Sequence, residues 1–256
     1  MIHPTALVDP GAGLDEGVEV GPFAVIGPGV EIGAGTRIGP HTVVRGPTRI
    51  GRDNRIFQFA SVGEDPQDKK YGGEPTRLEI GDRNRIREFT TIHRGTAQDR
   101  GVTSIGNDNL FMAYTHVAHD CRIGDQVIMA NAASLGGHVE IQDWSILGGF
   151  TIVHQFCRIG AHSFCAMGSV LTKDVPPYVT VGGHPARPRG INSEGLRRRG
   201  FSEAAVAAVK RAYRLLYMGA LPLGEALERV RELARGVPEL APLADFVAES
   251  SRSIVR

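Results

Sequence analysis

From Ile105 to Leu171 an apolar residue falls on every sixth position: Ile105, Phe111, Val117, Ile123, Met129, Leu135, Ile141, Leu147, Val153, Ile159, Cys165 and Leu171. A helix sets apolar residues three and four apart and a half-buried strand sets them two apart, so neither accounts for a period of six. A hexapeptide repeat predicts a parallel β-helix, in which each unit supplies one short strand and one turn. Three units close a triangular coil of eighteen residues, and coils stack at the inter-strand spacing of about 4.8 Å. The same register runs from Ile2 through Val8, Leu14, Val20, Ile26, Ile32, Ile38, Val44, Ile50 and Ile56 to Val62, and returns at Ile80, Ile86 and Ile92. The residue four after each key position is mostly small (Ala24, Thr36, Thr42, Ala60, Thr90, Thr115, Ala133, Ser145, Thr151, Ser163), as a tight interior corner requires. The residue directly after the key is often glycine (Gly21, Gly27, Gly33, Gly39, Gly124, Gly148), which is expected to supply the turn conformations that closure needs.

Two polar stretches break the period, at 64–79 and at about 94–104. Long loops in compact folds tend to be functional, so both are expected to touch substrate or a neighbouring subunit. The repeat fades at 172–185, where Pro176, Pro177 and Pro185 stop further strands. Beyond about residue 190 the pattern becomes helical. Ser202 caps EAAVAAVKRAYRLLYM, Pro222 opens LGEALERVRELARG, and a third helix is expected over 239–251. The predicted organisation is a mainly β fold: a parallel β-helix over 1–189, then a small α-helical domain over 190–256.

Composition narrows the function. Glycine, at 33 residues, suits a turn-rich solenoid, and a net charge of +1 gives no global reason to expect nucleic acid. Three cysteines without framework spacing imply no disulfide scaffold; they read as buried free thiols in a reducing, cytoplasmic setting. The repeat begins at Ile2, so no signal peptide is expected, and no apolar run approaches the length of a membrane span. Arg187, Arg189, Arg197, Arg198, Arg199, Lys210, Arg211 and Arg214 face only Glu194 and Glu203, and such a basic patch would attract an anionic partner.

The chemistry is carried by histidines. His119 plus eighteen is Gly137, Asp120 plus eighteen is His138, and His154 minus eighteen is Gly136, so His119, Asp120, His138 and His154 are expected on one side of successive coils, with His116 across a corner. Three readings fit: scattered structural histidines, a zinc site as in a trimeric β-helical hydratase, or a general base acting on a hydroxyl. The stacked glycine would leave a backbone N–H open to an oxyanion.

The strings THVAHDC at 115–121, LGGHV at 135–139, VHQFC at 153–157, QDKKYGGEPTR at 67–77 and EGLRRRGF at 194–201 closely resemble the UDP-N-acetylglucosamine O-acyltransferase family of lipid A biosynthesis. The resemblance implies left-handed coils, a homotrimer with sites between chains, and transfer of a 3-hydroxyacyl group from acyl carrier protein to the glucosamine 3-hydroxyl. It implies no metal, and no cofactor beyond the phosphopantetheine that carries the acyl donor on the carrier protein. By resemblance His119 is the general base, Asp120 orients it, and the Gly137 N–H meets the oxyanion. Asp68, Lys70, His116, His138, His154, Gln155, Asn192, Glu194 and Arg198 match positions that contact nucleotide sugar or acyl donor. Members that take long acyl chains carry glycine where this sequence has Met167; a methionine capping the column Asn131, Gly149, Met167 is expected to restrict the donor to medium length. The related N-acyltransferase of the same pathway carries an extra domain before its coils, whereas this sequence opens on the repeat.

Overall fold

The computed structural model describes all 256 residues. Strands of two to five residues form three sheets of nine, eight and ten strands, and within each sheet a strand pairs in parallel with the one three further along the chain. The ten-stranded sheet departs from this at its end: Phe164–Cys165 pairs in parallel with Val179–Gly182, only two strands on, and Val179–Gly182 then pairs antiparallel with Arg187–Ile191. Key residues stack on key residues: Val117 on Leu135, Leu135 on Val153, and Val153 on Leu171. They fill the prism as one continuous apolar core. The loops are insertions in this register. Ile80 pairs with Ile50, thirty residues earlier rather than eighteen, and Ile105 with Ile80, twenty-five residues earlier.

The glycines after the key positions act differently from expectation. The left-handed turn sits three residues after the key, at Phe23, His41, Phe59, Phe89, Tyr114, Asp120, His138 and Phe156 among others, all with φ between 54° and 65°. None of the residues with positive φ is β-branched, as such stiff side chains would be strained there; Thr5, three after Ile2, does not take the left-handed conformation. Gly21, Gly33 and Gly39 instead lie against the next coil. A Cβ on them would come within 2.9, 2.7 and 2.6 Å of its backbone atoms. They are glycine because stacking at strand distance leaves no room for a side chain.

One interior corner is polar. Asn54 Oδ1 accepts from the Asn84 N–H at 2.9 Å, Asn84 Oδ1 from the Asn109 N–H at 2.9 Å, and Asn109 Oδ1 from the Val127 N–H at 2.6 Å. This ladder spans the coils on either side of both insertions.

The tail begins with a helix that the periodicity does not reveal, α1 (Ser193–Arg198), capped by Asn192. It is followed by α2 (Glu203–Tyr217), capped by Ser202, α3 (Leu223–Ala234), entered through Pro222, and α4 (Ala241–Glu249). Their apolar faces form a second core around Leu196, Val209, Leu216, Val230 and Leu243. The chain then returns to the prism. The Val255 N–H donates to the Asp174 carbonyl at 2.9 Å, so the C-terminus finishes the last coil.

Candidate active site

Stacking turns three consecutive turn positions into columns. Ala118, Gly136 and His154 stand one residue after their keys, His119, Gly137 and Gln155 two after, and Asp120, His138 and Phe156 three after. The third position is left-handed, with φ 60° at Asp120 and 61° at His138. Aspartate tolerates this conformation better than most side chains. The turn sends the Asp120 carboxylate inward under the second loop, fully buried, while the His119 ring lies above it at 12% exposure.

His119 Nδ1 is 2.9 Å from Asp120 Oδ2. The same carboxylate accepts from the Thr96 hydroxyl at 2.7 Å and from the Thr96 N–H at 3.0 and 3.1 Å, while the Asp120 N–H donates to Thr103 Oγ1 at 2.8 Å. Burial alone would disfavour its charge. The hydrogen bonds from His119 and Thr96, with His138 nearby, outweigh that penalty and hold Asp120 below the usual carboxylate range. An ionised carboxylate only accepts, so the proton of neutral His119 sits on Nδ1 and the lone pair on Nε2.

The His119 ring stands against Gly137. A Cβ there would lie 2.5 Å from its Cε1 and 2.7 Å from its Nε2. Gly137 is buried, and its N–H donates to no group in the chain. The N–H groups of Ala113, Asn131 and Gly149, also two after their keys, are likewise without a partner, but only that of Gly137 adjoins the free nitrogen of an oriented imidazole.

His138 meets the His119 ring edge-on at 5.0 Å and stacks on Phe156 at 4.4 Å. Its Nδ1 is 3.0 Å from Asp99 of the second loop and 3.9 Å from Asp120. His116 Nδ1 is 2.7 Å from Thr91 Oγ1, and the ring meets His93 edge-on at 5.1 Å. Burial first, then the neighbouring rings and Arg94, push His93 down to about 4; burial and His119 lower His116 as well. His93, Thr96, Asp99 and Thr103 thus join the site without any signal in the periodicity.

Other expected site residues lie outside this network. His154 is exposed, with Nδ1 3.0 Å from the Gln155 carbonyl and 3.5 Å from a nitrogen of Arg252, and makes no hydrogen bond to the His119–Asp120–His138 group; its key, Val153, lies two coils from Val117. Gln155, also exposed, stacks above Gly137's column and packs over Gly136. In the first loop the backbone N–H of Lys70 donates to Asp68 Oδ1 at 3.0 Å, and Lys70 is exposed. Arg94 pins the root of that loop through the Gly46 and Gly63 carbonyls, Asp65 and the Tyr71 hydroxyl. Asn192 caps α1 and donates to the His162 carbonyl at 2.9 Å, while Glu194 and Arg198 pair with each other at 3.0 Å. Met167 is 80% exposed. Below it in the same column, a Cβ on Gly149 would meet only the Asn131 carbonyl, at 3.4 Å, so the surface beside Met167 is open.

Burial raises the thiols of Cys121 and Cys165 to about 12 and that of Cys157 to about 11, which removes them as nucleophiles near neutral pH. His119, Asp120 and His138 bring three possible ligand atoms within 4.8 Å of one another. Each ring turns Nδ1 to a carboxylate, and Asp120 is already engaged by Thr96. Both rings leave Nε2 free, a geometry that serves a proton acceptor and a metal ligand alike.

No helix is long and apolar enough to cross a membrane. The family model described as UDP N-acetylglucosamine O-acyltransferase, domain 2, matches residues 174–255, and that of the bacterial transferase hexapeptide (six repeats) matches 11–46. The acyl-[acyl-carrier-protein]–UDP-N-acetylglucosamine O-acyltransferase of Janthinobacterium sp. (strain Marseille) is 59% identical over 100% of this chain and 99% of its own length. That of Thiobacillus denitrificans is 61% identical, with the same coverage. The UDP-N-acetylglucosamine acyltransferase of Francisella novicida superposes with a TM-score of 0.98 at 44% identity, covering 100% of this chain and 94% of that one. The Moraxella catarrhalis UDP-N-acetylglucosamine O-acyltransferase gives 0.97 at 46%, covering 100% and 99%. With the repeat, the helical tail and the histidine site all in place, the chain belongs to the UDP-N-acetylglucosamine O-acyltransferase family of hexapeptide-repeat enzymes.

Proposed function

We propose that this enzyme moves a 3-hydroxyacyl chain of medium length from acyl carrier protein to the 3-hydroxyl of UDP-N-acetylglucosamine, the first step of lipid A biosynthesis, by direct attack. The observation that carries the reading is the pairing of an imidazole, oriented by Asp120, with the unpartnered N–H of Gly137. His119 Nε2 takes the proton of the attacking hydroxyl as its oxygen bonds to the thioester carbonyl. The carbonyl oxygen becomes an oxyanion against the Gly137 N–H. Collapse breaks the C–S bond, the ester forms, and the imidazolium returns the proton to the phosphopantetheine thiolate. Proton, nucleophile and leaving group balance without a metal or a further cofactor.

His116 and His138 form the acceptor side of the cleft, and the exposed Gln155 and His154, one coil beyond His138, are assigned to more distant parts of the bound substrates. Lys70, Glu194 and Arg198 are exposed, Asp68 and Asn192 partly so, and together they spread over the first loop and α1 with its cap, which fits a cleft completed by a neighbouring copy in a homotrimer. Arg211, Arg214 and Arg229 rim a shallow concavity floored by Leu215, Met218 and Leu233, a surface suited to an acidic carrier protein. Met167 closes the groove for the acyl chain.

Incubation with UDP-N-acetylglucosamine and a mixed pool of 3-hydroxyacyl carrier proteins, with mass analysis of the product, tests the whole reading. A medium-chain 3-O-ester is expected. A product acylated elsewhere, or zinc-dependent hydration chemistry lost on chelation, would refute it.

A further inference from the structure

The second loop is a brace across both imidazoles. Between Ile92 and Ile105 the chain carries seven residues beyond one coil's register. They close on themselves: the N–H groups of Asp99 and Gly101 both donate to the Thr96 carbonyl, at 3.3 and 3.1 Å. From that turn Thr96 reaches the carboxylate that orients His119, while three residues on Asp99 reaches His138. Asp99 Oδ2 lies 3.0 Å from His138 Nδ1, with the two side chains 31% and 16% exposed.

The His138 ring has little freedom left. Phe156 stacks on one face at an interplanar angle of 7°, and His119 stands edge-on at 89°. Stacking fixes the plane of a ring but not which nitrogen carries the proton, and it permits a half-turn that exchanges the two sides. The Asp99 carboxylate settles both. It can only accept, so it holds Nδ1 as the donor. Nε2, which has no partner in the chain, is left for a ligand.

We propose that Asp99 is a positioning residue: it locks the His138 imidazole with Nδ1–H toward the loop and Nε2 toward the acceptor, where Nε2 binds a sugar hydroxyl. A hydroxyl suits this nitrogen because it both donates and accepts, and so serves the ring in either protonation state. The site then contains two carboxylate–imidazole pairs set by one loop. Asp120–His119 handles the transferred proton and Asp99–His138 holds the acceptor. This inference rests on the acyl-transfer reading for the identity of the ligand, but not for the state of the ring.

The test compares Asp99→Ala and Asp99→Asn with the unaltered full-length enzyme. Loss of one partly exposed hydrogen bond of ordinary strength predicts a KM for UDP-N-acetylglucosamine raised about three- to tenfold in Asp99→Ala, with kcat nearly constant. The amide oxygen of Asp99→Asn still accepts from Nδ1, so this variant is expected to restore KM. Imidazole nitrogen spectra, assigned with a His138→Gln control, should show His138 protonated on Nδ1 in the unaltered protein and exchanging between tautomers in Asp99→Ala. An unchanged His138 spectrum overturns the proposal whatever the reaction proves to be. So does a variant whose kcat and melting temperature fall while KM stays fixed, because Asp99 would then only stiffen the loop.

Discussion

His119 occupies the space that a side chain on Gly137 would need, with its Cε1 2.5 Å from the position of the missing Cβ. The glycine therefore serves the ring rather than the turn. Gly137→Ala is expected to displace the imidazole and to lower kcat about a hundredfold, the usual cost of an ångström of misplacement. The coil should remain folded. Gly136→Ala is the informative contrast, because its Cβ would strike the backbone nitrogen of Gln155 at 2.7 Å. It should lower the melting temperature more than Gly137→Ala does. Steady-state kinetics and thermal unfolding of the two variants check the distinction.

Thr96 is the lever on Asp120. Burial works against the Asp120 charge, and the hydrogen bonds from His119 and Thr96 overcome it. Thr96→Val removes the 2.7 Å hydroxyl bond but keeps the backbone N–H. The Asp120 carboxyl should then protonate at higher pH. Once protonated it no longer holds the His119 proton on Nδ1, so the acid limb of the kcat profile moves upward in pH. A loss of about tenfold in kcat is expected, as for a hydrogen bond to a charged group. A profile of kcat against pH for the variant decides it.

Two rings outside the proton transfer make stability depend on pH. Burial, followed by the surrounding positive groups, pushes His93 down to about 4, and burial with Arg199 does the same for His162. Both fold as neutral rings. In the unfolded chain each takes a proton near pH 6.5, so the unfolded state binds more protons between that value and about 4. The contribution is therefore complete above about pH 6.5 and is lost progressively as pH falls toward 4. Each ring should account for up to about 2 kcal/mol by pH 5. Denaturant unfolding at about pH 7.5 and about pH 5 measures the difference. His93→Gln should flatten the dependence.

The coil is readable from sequence because its period belongs to the backbone: Val117, Leu135 and Val153 must share an interior line whatever surrounds them. The same arithmetic places His119 beside Gly137. Followed one step further it also keeps His154 apart from His119, since their keys, Val117 and Val153, are two coils apart and the two residues stand at different turn positions. It cannot reach Thr96 or Asp99. An insertion has no register, and only its own turn, closed on the Thr96 carbonyl, decides what its side chains touch. The role of Gly33 and Gly39 is hidden for another reason. Glycine reads the same whether it supplies a turn or yields to a neighbouring strand, and only the distances to the next coil choose.

The asparagine ladder ties the coils that flank the insertions. Asn84 donates to Asn54 Oδ1 at 3.0 Å and to the Gly106 carbonyl at 2.9 Å, and accepts from the Asn109 N–H. Asn84→Leu nearly preserves the volume but strands partners on both sides in a dry interior. A buried group left unmatched costs about 1–3 kcal/mol, and at least two are left here. The midpoint of unfolding should fall by several degrees, with the acyl-transfer KM unchanged. Asn84→Asp should fare worse, since it places a charge among acceptor carbonyls.

Met167 sets the last expectation. It stands eighteen residues after Gly149, which stands eighteen after Asn131, and its exposed side chain is the bulkiest of that column, where the proposed acyl groove would end. Each methylene taken from water is worth about 0.8 kcal/mol, so a trough shortened by two to four carbons discriminates against longer donors by about ten- to a hundredfold or more. Met167→Gly removes the stop, and the backbone should accept the change because this surface position carries no packing. The variant is expected to gain kcat/KM on long 3-hydroxyacyl donors and to lose some on medium ones, whose tails lose contact with the thioether. A flexible methionine that swings aside would give the same length profile before and after substitution. Competition between donors of graded length, read by product mass, separates the two cases. An enzyme that already prefers the longest donor would show that Met167 closes nothing.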